Sequence, residues 1–195
     1  MSVQEDIANR SREAIMALLE EVTDPEVPVL SIIDLGIVRD IIVTGAGETE
    51  MGGNGDGMSG AAGSATGTGA AGVEVVITPT YSGCPAMDVI RMNIRMLLLQ
   101  RGYAPVKITT VLSPAWTTDW MSEKGKDQLK AFGIAPPTPV PQVCHPGLFR
   151  REEAIACPRC NSYNTTLISE FGSTACKSLY RCEDCKEPFD YFKCH

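Results

Sequence analysis

The chain has no apolar run near the roughly 18 residues that a membrane-spanning helix needs, and its 12 aromatic residues make up only 6% of it. A membrane-spanning helix is therefore excluded. Positive charge is also scarce: 17 Lys and Arg against 24 Asp and Glu leave a net charge of −7. That sign is opposite to the footprint of a nucleic-acid binder, so proteins or metals are the expected partners. Only two histidines occur, and both lie beyond Val143, which leaves little room for a Cys-His catalytic pair in the first two thirds. The first dozen residues are polar and mixed in charge rather than basic and then apolar. They do not read as a secretory leader, and a cytoplasmic protein is expected.

What is abundant is cysteine, with eight in 195 residues. In a cytoplasmic chain this points to metal or thiol chemistry rather than to disulfide staples. The length suits one domain plus a small module, and 44% hydrophobic residues are enough for a compact core.

Composition divides the chain. Residues 46–72 are dominated by Gly and Ala, without β-branched aliphatic or aromatic residues, and read as a flexible insertion in a hairpin. Before it, Ser2 and Glu5 resemble a capping box. Ile7, Ala14, Ile15, Leu18, Leu19 and Val22 then recur at helical spacing until Asp24-Pro25. Strands are expected at 37–43, 73–78 and 107–112, with a helix over 85–102 whose apolar stripe is Met87, Ile90, Ile94, Leu97 and Leu98. A short helix follows, with Thr118 or Asp119 as its cap and Trp120, Leu129 and Phe132 as anchors. The fold class is thus α+β: a two-layer α-β-β-α-β domain over residues 1–134, then a Pro-rich linker at 135–149, then a small module at 150–195. The module carries seven basic and seven acidic residues, so the negative charge belongs to the first domain.

In the module, Cys157-Pro-Arg-Cys160 and Cys182-Glu-Asp-Cys185 are separated by 21 residues. Two residues between thiolates let a tight turn bring both sulfurs to one ion, and β-type segments at 165–168 and 178–181 would join the pairs as a hairpin. The expectation is a zinc ribbon. Four thiolates leave no open position for water, so this zinc would be structural. A rubredoxin-like iron, a cluster or a dithiol redox pair are the alternatives. Cys144, His145, Cys176 and Cys194 are left over. They either form a second, labile metal site or leave Cys176 as a buried small hydrophobe and Cys144 and Cys194 as free thiols, with His195 mobile at the chain end.

Cys84 stands between Gly83 and Pro85 at the start of the 85–102 helix. At an N-cap, free backbone N–H groups and the helix dipole favour thiolate, which predicts a lowered pKa and a nucleophile or soft-metal ligand. The alternative is a cysteine that only packs under the turn. Asp34 and Glu26, in the proline-broken loop 24–36, are expected on the same rim. A thiolate near carboxylates suits transient iron binding better than acyl transfer.

The stretches DPEVPVLSIIDLGIV (24–38) and TPTYSGCPAM (78–87) resemble the two motifs of the small α/β family of iron-sulfur-assembly proteins that includes bacterial SufT. WTTDWMSE, CPRC, SEFGSTACKSLYRC and EPFDYFKC look more specifically like PaaD-type subunits associated with phenylacetyl-CoA epoxidase in aerobic phenylacetate degradation. The resemblance implies an accessory protein rather than an enzyme, one that helps mature the iron-sulfur reductase of that system. It also implies that Cys84 takes the family's reactive-cysteine position as a transient ligand for iron, sulfur or a cluster. Asp24, Pro25, Glu26 and Asp34 match its acidic loop. The reductase and other epoxidase components are the implied partners, together with a homodimer in which two Cys84 residues could share a cluster. The 46–72 insertion departs from the family pattern. A bridging subunit without chemistry of its own is the alternative function.

Overall fold

The computed structural model describes residues 12–44, 72–137 and 155–193. The Ser2–Glu5 cap, Ile7, the insertion except for Gly72, most of the 135–149 linker, and Cys144, His145, Cys194 and His195 lie outside them.

Helix α1 (Arg12–Leu19) buries Ile15 and Leu19. Strand β1 (Val38–Thr44) pairs antiparallel with β2 (Gly72–Ile77), which starts at the last glycine of the expected insertion. Helix α2 (Ala86–Gln100) then crosses back, so that β3 (Val106–Thr110) joins β2 in parallel. The three-stranded sheet has the order β1-β2-β3, and the sequence-predicted α-β-β-α-β order is present. The 3.6-residue period sends Met87, Ile90, Ile94 and Leu98 of α2 into the core with Val73, Val75 and Ile77 of β2.

Gly36 is fixed by close approach. Its φ is +72°, and a Cβ there would lie 2.2 Å from the Trp120 carbonyl oxygen. The adjoining segment differs from expectation. A single 3-10 turn (Thr118–Trp120) precedes α3 (Glu123–Phe132), and the cap is Ser122, whose hydroxyl accepts from the Gly125 N–H at 2.9 Å. Thr118 and Asp119 belong to the turn instead. Leu129 is the buried anchor, whereas Phe132, on the last turn before left-handed Gly133, is 56% exposed. Trp116 is the indole that inserts: it is 2% exposed and donates to the Leu35 carbonyl at 3.0 Å. Trp120 is half-buried under the Arg39 guanidinium, 3.4 Å from the ring centre.

The C-terminal sheet has the order β4-β7-β6-β5, from β4 (Ile134–Ala135), β5 (Thr165–Ser169), β6 (Lys177–Cys182) and β7 (Pro188–Phe192). The β5–β6 hairpin matches expectation, with Thr165 opposite Cys182. Strand β7 has no counterpart in the sequence reading, because a five-residue run opening on proline carries little period. Where composition marks a boundary at Ala135, the chain makes a strand that pairs in parallel with β7. The modules therefore share a surface: Cys176 and Phe192 lie in the first domain's core, and the Phe192 ring meets Trp116 edge-on at 6.2 Å. Phe192→Ala is expected to cost about 3 to 4 kcal/mol, read as a lower urea midpoint in metal-loaded protein. An unchanged midpoint would show that the modules do not support one another.

Candidate functional site

Two groups of side chains carry chemistry, one in each module. In the ribbon, the sulfurs of Cys157, Cys160, Cys182 and Cys185 all lie within 4.8 Å of one another. Cys157 is 3.7 Å from Cys185, and Cys160 is 3.5 Å from Cys182. A tetrahedral ion with bonds of about 2.3 Å to sulfur has S···S edges of about 3.8 Å, so the four fit one ion. Each knuckle is closed by a residue in left-handed conformation, Asn161 at φ 59° and Lys186 at φ 65°. The second knuckle is tied to the first through Asp184, whose carboxylate accepts from Ser162 and from the Asn164 amide at 2.8 Å. The peptide N–H groups of Cys185 and Asp184 pull the Cys182 thiol down to about 7, favouring the thiolate that a metal requires.

The second group surrounds Cys84. Its backbone closes the Tyr81–Cys84 turn, with the Cys84 N–H donating to the Tyr81 carbonyl at 3.3 Å. Pro85, not Cys84, is the cap residue of α2. This displaces the thiol from the position that would lower its pKa. Burial raises it above the ordinary thiol value and outweighs the hydrogen bond from the Ala86 N–H, and the carboxylates of Glu26 and Asp24 push the same way. The expectation of a lowered pKa is corrected: the thiol is protonated at neutral pH.

The loop that brings Glu26 to Cys84 is locked by Asp24. One Asp24 oxygen accepts from the N–H groups of Glu26 at 2.7 Å and Val27 at 2.9 Å. Burial raises the Asp24 carboxyl despite these bonds. Tyr81 borders the same group. Burial, with the neighbouring Cys84, Glu26 and Cys176, pushes its hydroxyl up to about 12. On its other side lies a cleft of about 240 Å³ lined by residues that include Thr78, Ser82, Leu112 and Trp116.

Asp34 does not join this cluster. Its carboxylate accepts from Ser122 at 2.6 Å and Ser31 at 2.8 Å, with the Lys124 ammonium at 3.3 Å. Burial raises its carboxyl, but these three partners outweigh burial and hold it below the usual carboxylate range. Asp34 thus fastens the 24–36 loop to the start of α3. The converse case is Cys176, expected either as a buried small hydrophobe or in a second metal site: it is buried, and the sequence reading missed only its contact with Glu26. This buried thiol donates to Glu26 Oε2 at 3.7 Å across 150 positions of chain, and it also contacts the Thr174 hydroxyl at 3.0 Å. No local pattern announces that contact.

The comparisons with known proteins agree with both modules. Residues 12–51 match the family described as iron-sulfur cluster assembly protein, and residues 142–193 the one described as PaaD zinc beta ribbon domain. Over 180 residues the chain is 46% identical to an Escherichia coli (strain K12) protein, covering 92% of this chain and 91% of that one. That protein is named as one subunit of "Putative 1,2-phenylacetyl-CoA epoxidase". The chain belongs to the PaaD family. This PaaD-family chain is also 32% identical over 121 residues to the "Fe-S protein maturation auxiliary factor" of Porphyromonas gingivalis, covering 62% of this chain and 91% of that one. Among solved structures, a DUF59 domain of unknown function from Bacillus anthracis aligns with a TM-score of 0.44 and 22% identity, over 60% of this chain and 90% of that one.

Asp34→Ala strands the Ser31 and Ser122 hydroxyls and is expected to lower stability by about 2 to 3 kcal/mol, measured by urea denaturation at pH 7. Because the folded Asp34 pKa is lowered, its contribution is full above the unfolded carboxylate pKa. It fades as pH falls through the folded value, so wild type and variant converge in acid. Glu26→Gln removes a negative charge beside Cys84 and is expected to speed its alkylation by iodoacetamide at pH 8, followed by peptide mapping. Equal or slower alkylation would contradict the charge effect.

Proposed function

We propose that this PaaD-family protein is an accessory factor, not an enzyme, that serves iron-sulfur cluster maturation of the phenylacetyl-CoA epoxidase system. Its client is the iron-sulfur reductase component, and Cys84 is the transient ligand for iron, sulfur or a cluster. Zinc in the four-cysteine ribbon holds that module's fold. The observation that carries the reading is the half-buried Cys84 beside Glu26, on a domain whose residues 12–51 match the iron-sulfur cluster assembly family.

The chemistry supports this direction. A protonated thiol beside carboxylates is a poor nucleophile, but a cation that displaces the thiol proton gains both thiolate and carboxylate. The described residues include no histidine to act as a base. The relatives' names support the accessory role: one is called a subunit of the epoxidase, the other an auxiliary factor of Fe-S protein maturation. Asp34 supports the site indirectly, by holding the loop that carries Glu26.

A second reading, a bridging subunit without chemistry, draws on one surface feature. Val89, Met92, Met96 and Leu99 line the outer face of α2 at spacings of three, four and three, between 46% and 63% exposed. Such a stripe serves either role, since a maturation factor also docks its client. The two separate on Cys84→Ser. The variant is expected to fold and keep its ribbon metal, while the reductase co-produced with it contains less iron and acid-labile sulfide than with wild type. A reductase with full cluster content would overturn the maturation reading and leave the bridging one.

A further inference from the structure

The four sheet edges among the described residues are not alike. An edge strand presents unpaired N–H and C=O groups, and proteins guard it with charged residues, proline or a short length. In the first sheet, β1 carries Arg39 and Asp40. At the opposite edge β3 carries Lys107, and the Arg95 guanidinium donates to its Val106 carbonyl at 3.3 Å. In the ribbon sheet, β4 is only two residues long. The fourth edge, β5, reads Thr-Thr-Leu-Ile-Ser, with neither charge nor proline. Its ladder with β6 slips between Leu167 and Ser169, and this bulge adds Ile168 to Leu167 as a second exposed apolar residue. Tyr163 and Phe171, two residues beyond either end of the strand, are 65% and 67% exposed.

The segment from Tyr163 to Phe171 is self-complementary. A two-fold axis at Leu167 sets Leu167 against its own copy, Thr165 against Ser169 and Tyr163 against Phe171, so that each exposed aromatic gains an aromatic partner. The one charged residue of the segment, Glu170, falls opposite Asn164 rather than opposite a like charge. The charges flanking the two ends are complementary as well. At the Phe171 end the Lys193 ammonium stands 4.6 Å from the ring centre and donates to the Glu170 carbonyl at 3.0 Å. At the Tyr163 end stands the Asp184 carboxylate, which accepts from Ser162 and Asn164. An antiparallel pair brings the Lys193 end of each copy to the Asp184 end of the other.

We propose that β5 is a self-pairing edge: two copies of this chain join β5 to β5 in antiparallel register about Leu167, and their ribbon sheets become one continuous sheet across a dimer. The inference is independent of the reading of Cys84. A contact one strand wide with aromatic ends is smaller than a standard interface of about 800 Å² per partner, so a roughly micromolar dissociation constant is expected.

The test is sedimentation equilibrium of the reduced, zinc-loaded, full-length protein from about 1 to 300 µM, with amide hydrogen exchange followed at both ends of that range. Monomer and dimer are expected to interconvert, and the amides of residues 165–169 to exchange severalfold more slowly in the concentrated sample. Leu167→Lys puts two like charges on the axis. It is expected to raise the dissociation constant at least about tenfold while the ribbon keeps its zinc. Met92→Lys, on the exposed face of α2, is expected to leave the constant unchanged. A monomer throughout, or β5 amides that exchange alike at both concentrations, would overturn the proposal. So would a dimer that Met92→Lys breaks and Leu167→Lys does not, which would assign the interface to α2. The exchange measurement needs no variant, so a Leu167 substitution that fails to fold does not remove the test.

Discussion

The parallel pairing of β4 with β7, backed by Phe192 against Trp116, is the contact on which the functional geometry depends. Without it the chain would be a small α/β domain and a metal-stapled hairpin in tandem. With it, the first domain's core extends into the ribbon through Cys176 and Phe192, and the turn before β6 lies against the Asp24–Glu26 loop. Trp116 is central to this arrangement. Its indole N–H binds the Leu35 carbonyl beside Gly36, so the same ring that receives the ribbon also fixes the end of the acidic loop.

The two sulfur sites differ in what surrounds each thiol. In the ribbon, peptide N–H groups aim at Cys182 and lower its pKa, whereas at Cys160 and Cys185 the crowded neighbouring thiols and burial outweigh the N–H groups of Ser162 and Glu187 and raise it. Around Cys84, burial and two carboxylates outweigh the single N–H of Ala86 and raise it. A thiol of that kind resists oxidation and alkylation at neutral pH, and yields its proton when a cation arrives. That behaviour suits a carrier better than a catalyst. The acidic loop has two distinct tasks: Glu26 accepts from the Cys176 thiol and acts on Cys84 through its charge, while Asp24 and Asp34 use their carboxylates to hold the loop in shape.

Much of this was legible in the sequence, and what was not has physical causes. The α2 stripe, the three strands and the Cys-x-x-Cys pairs are local periodic signals, and each appears where its period predicts. The cap of α3 moved to Ser122 because Asp34, 88 positions earlier, is also a partner of that hydroxyl. The pKa of Cys84 went the other way because helix position is a local property, whereas burial and the Glu26 charge come from the fold. Cys176 is buried, as one of its two readings expected, but its contact with Glu26 was not legible because the two are 150 positions apart. Strand β4 was hidden among prolines, and only its pairing with β7 makes it a strand.

The central claim is that Cys84 holds cargo while the ribbon metal holds shape. It is tested most directly by the zinc, iron and acid-labile sulfide content of wild type and Cys84→Ser purified without air. The account predicts one zinc per chain in both, with iron or sulfide in wild type that is lost in the variant. Equal iron and sulfide in the two proteins, or zinc alone in both, would contradict it.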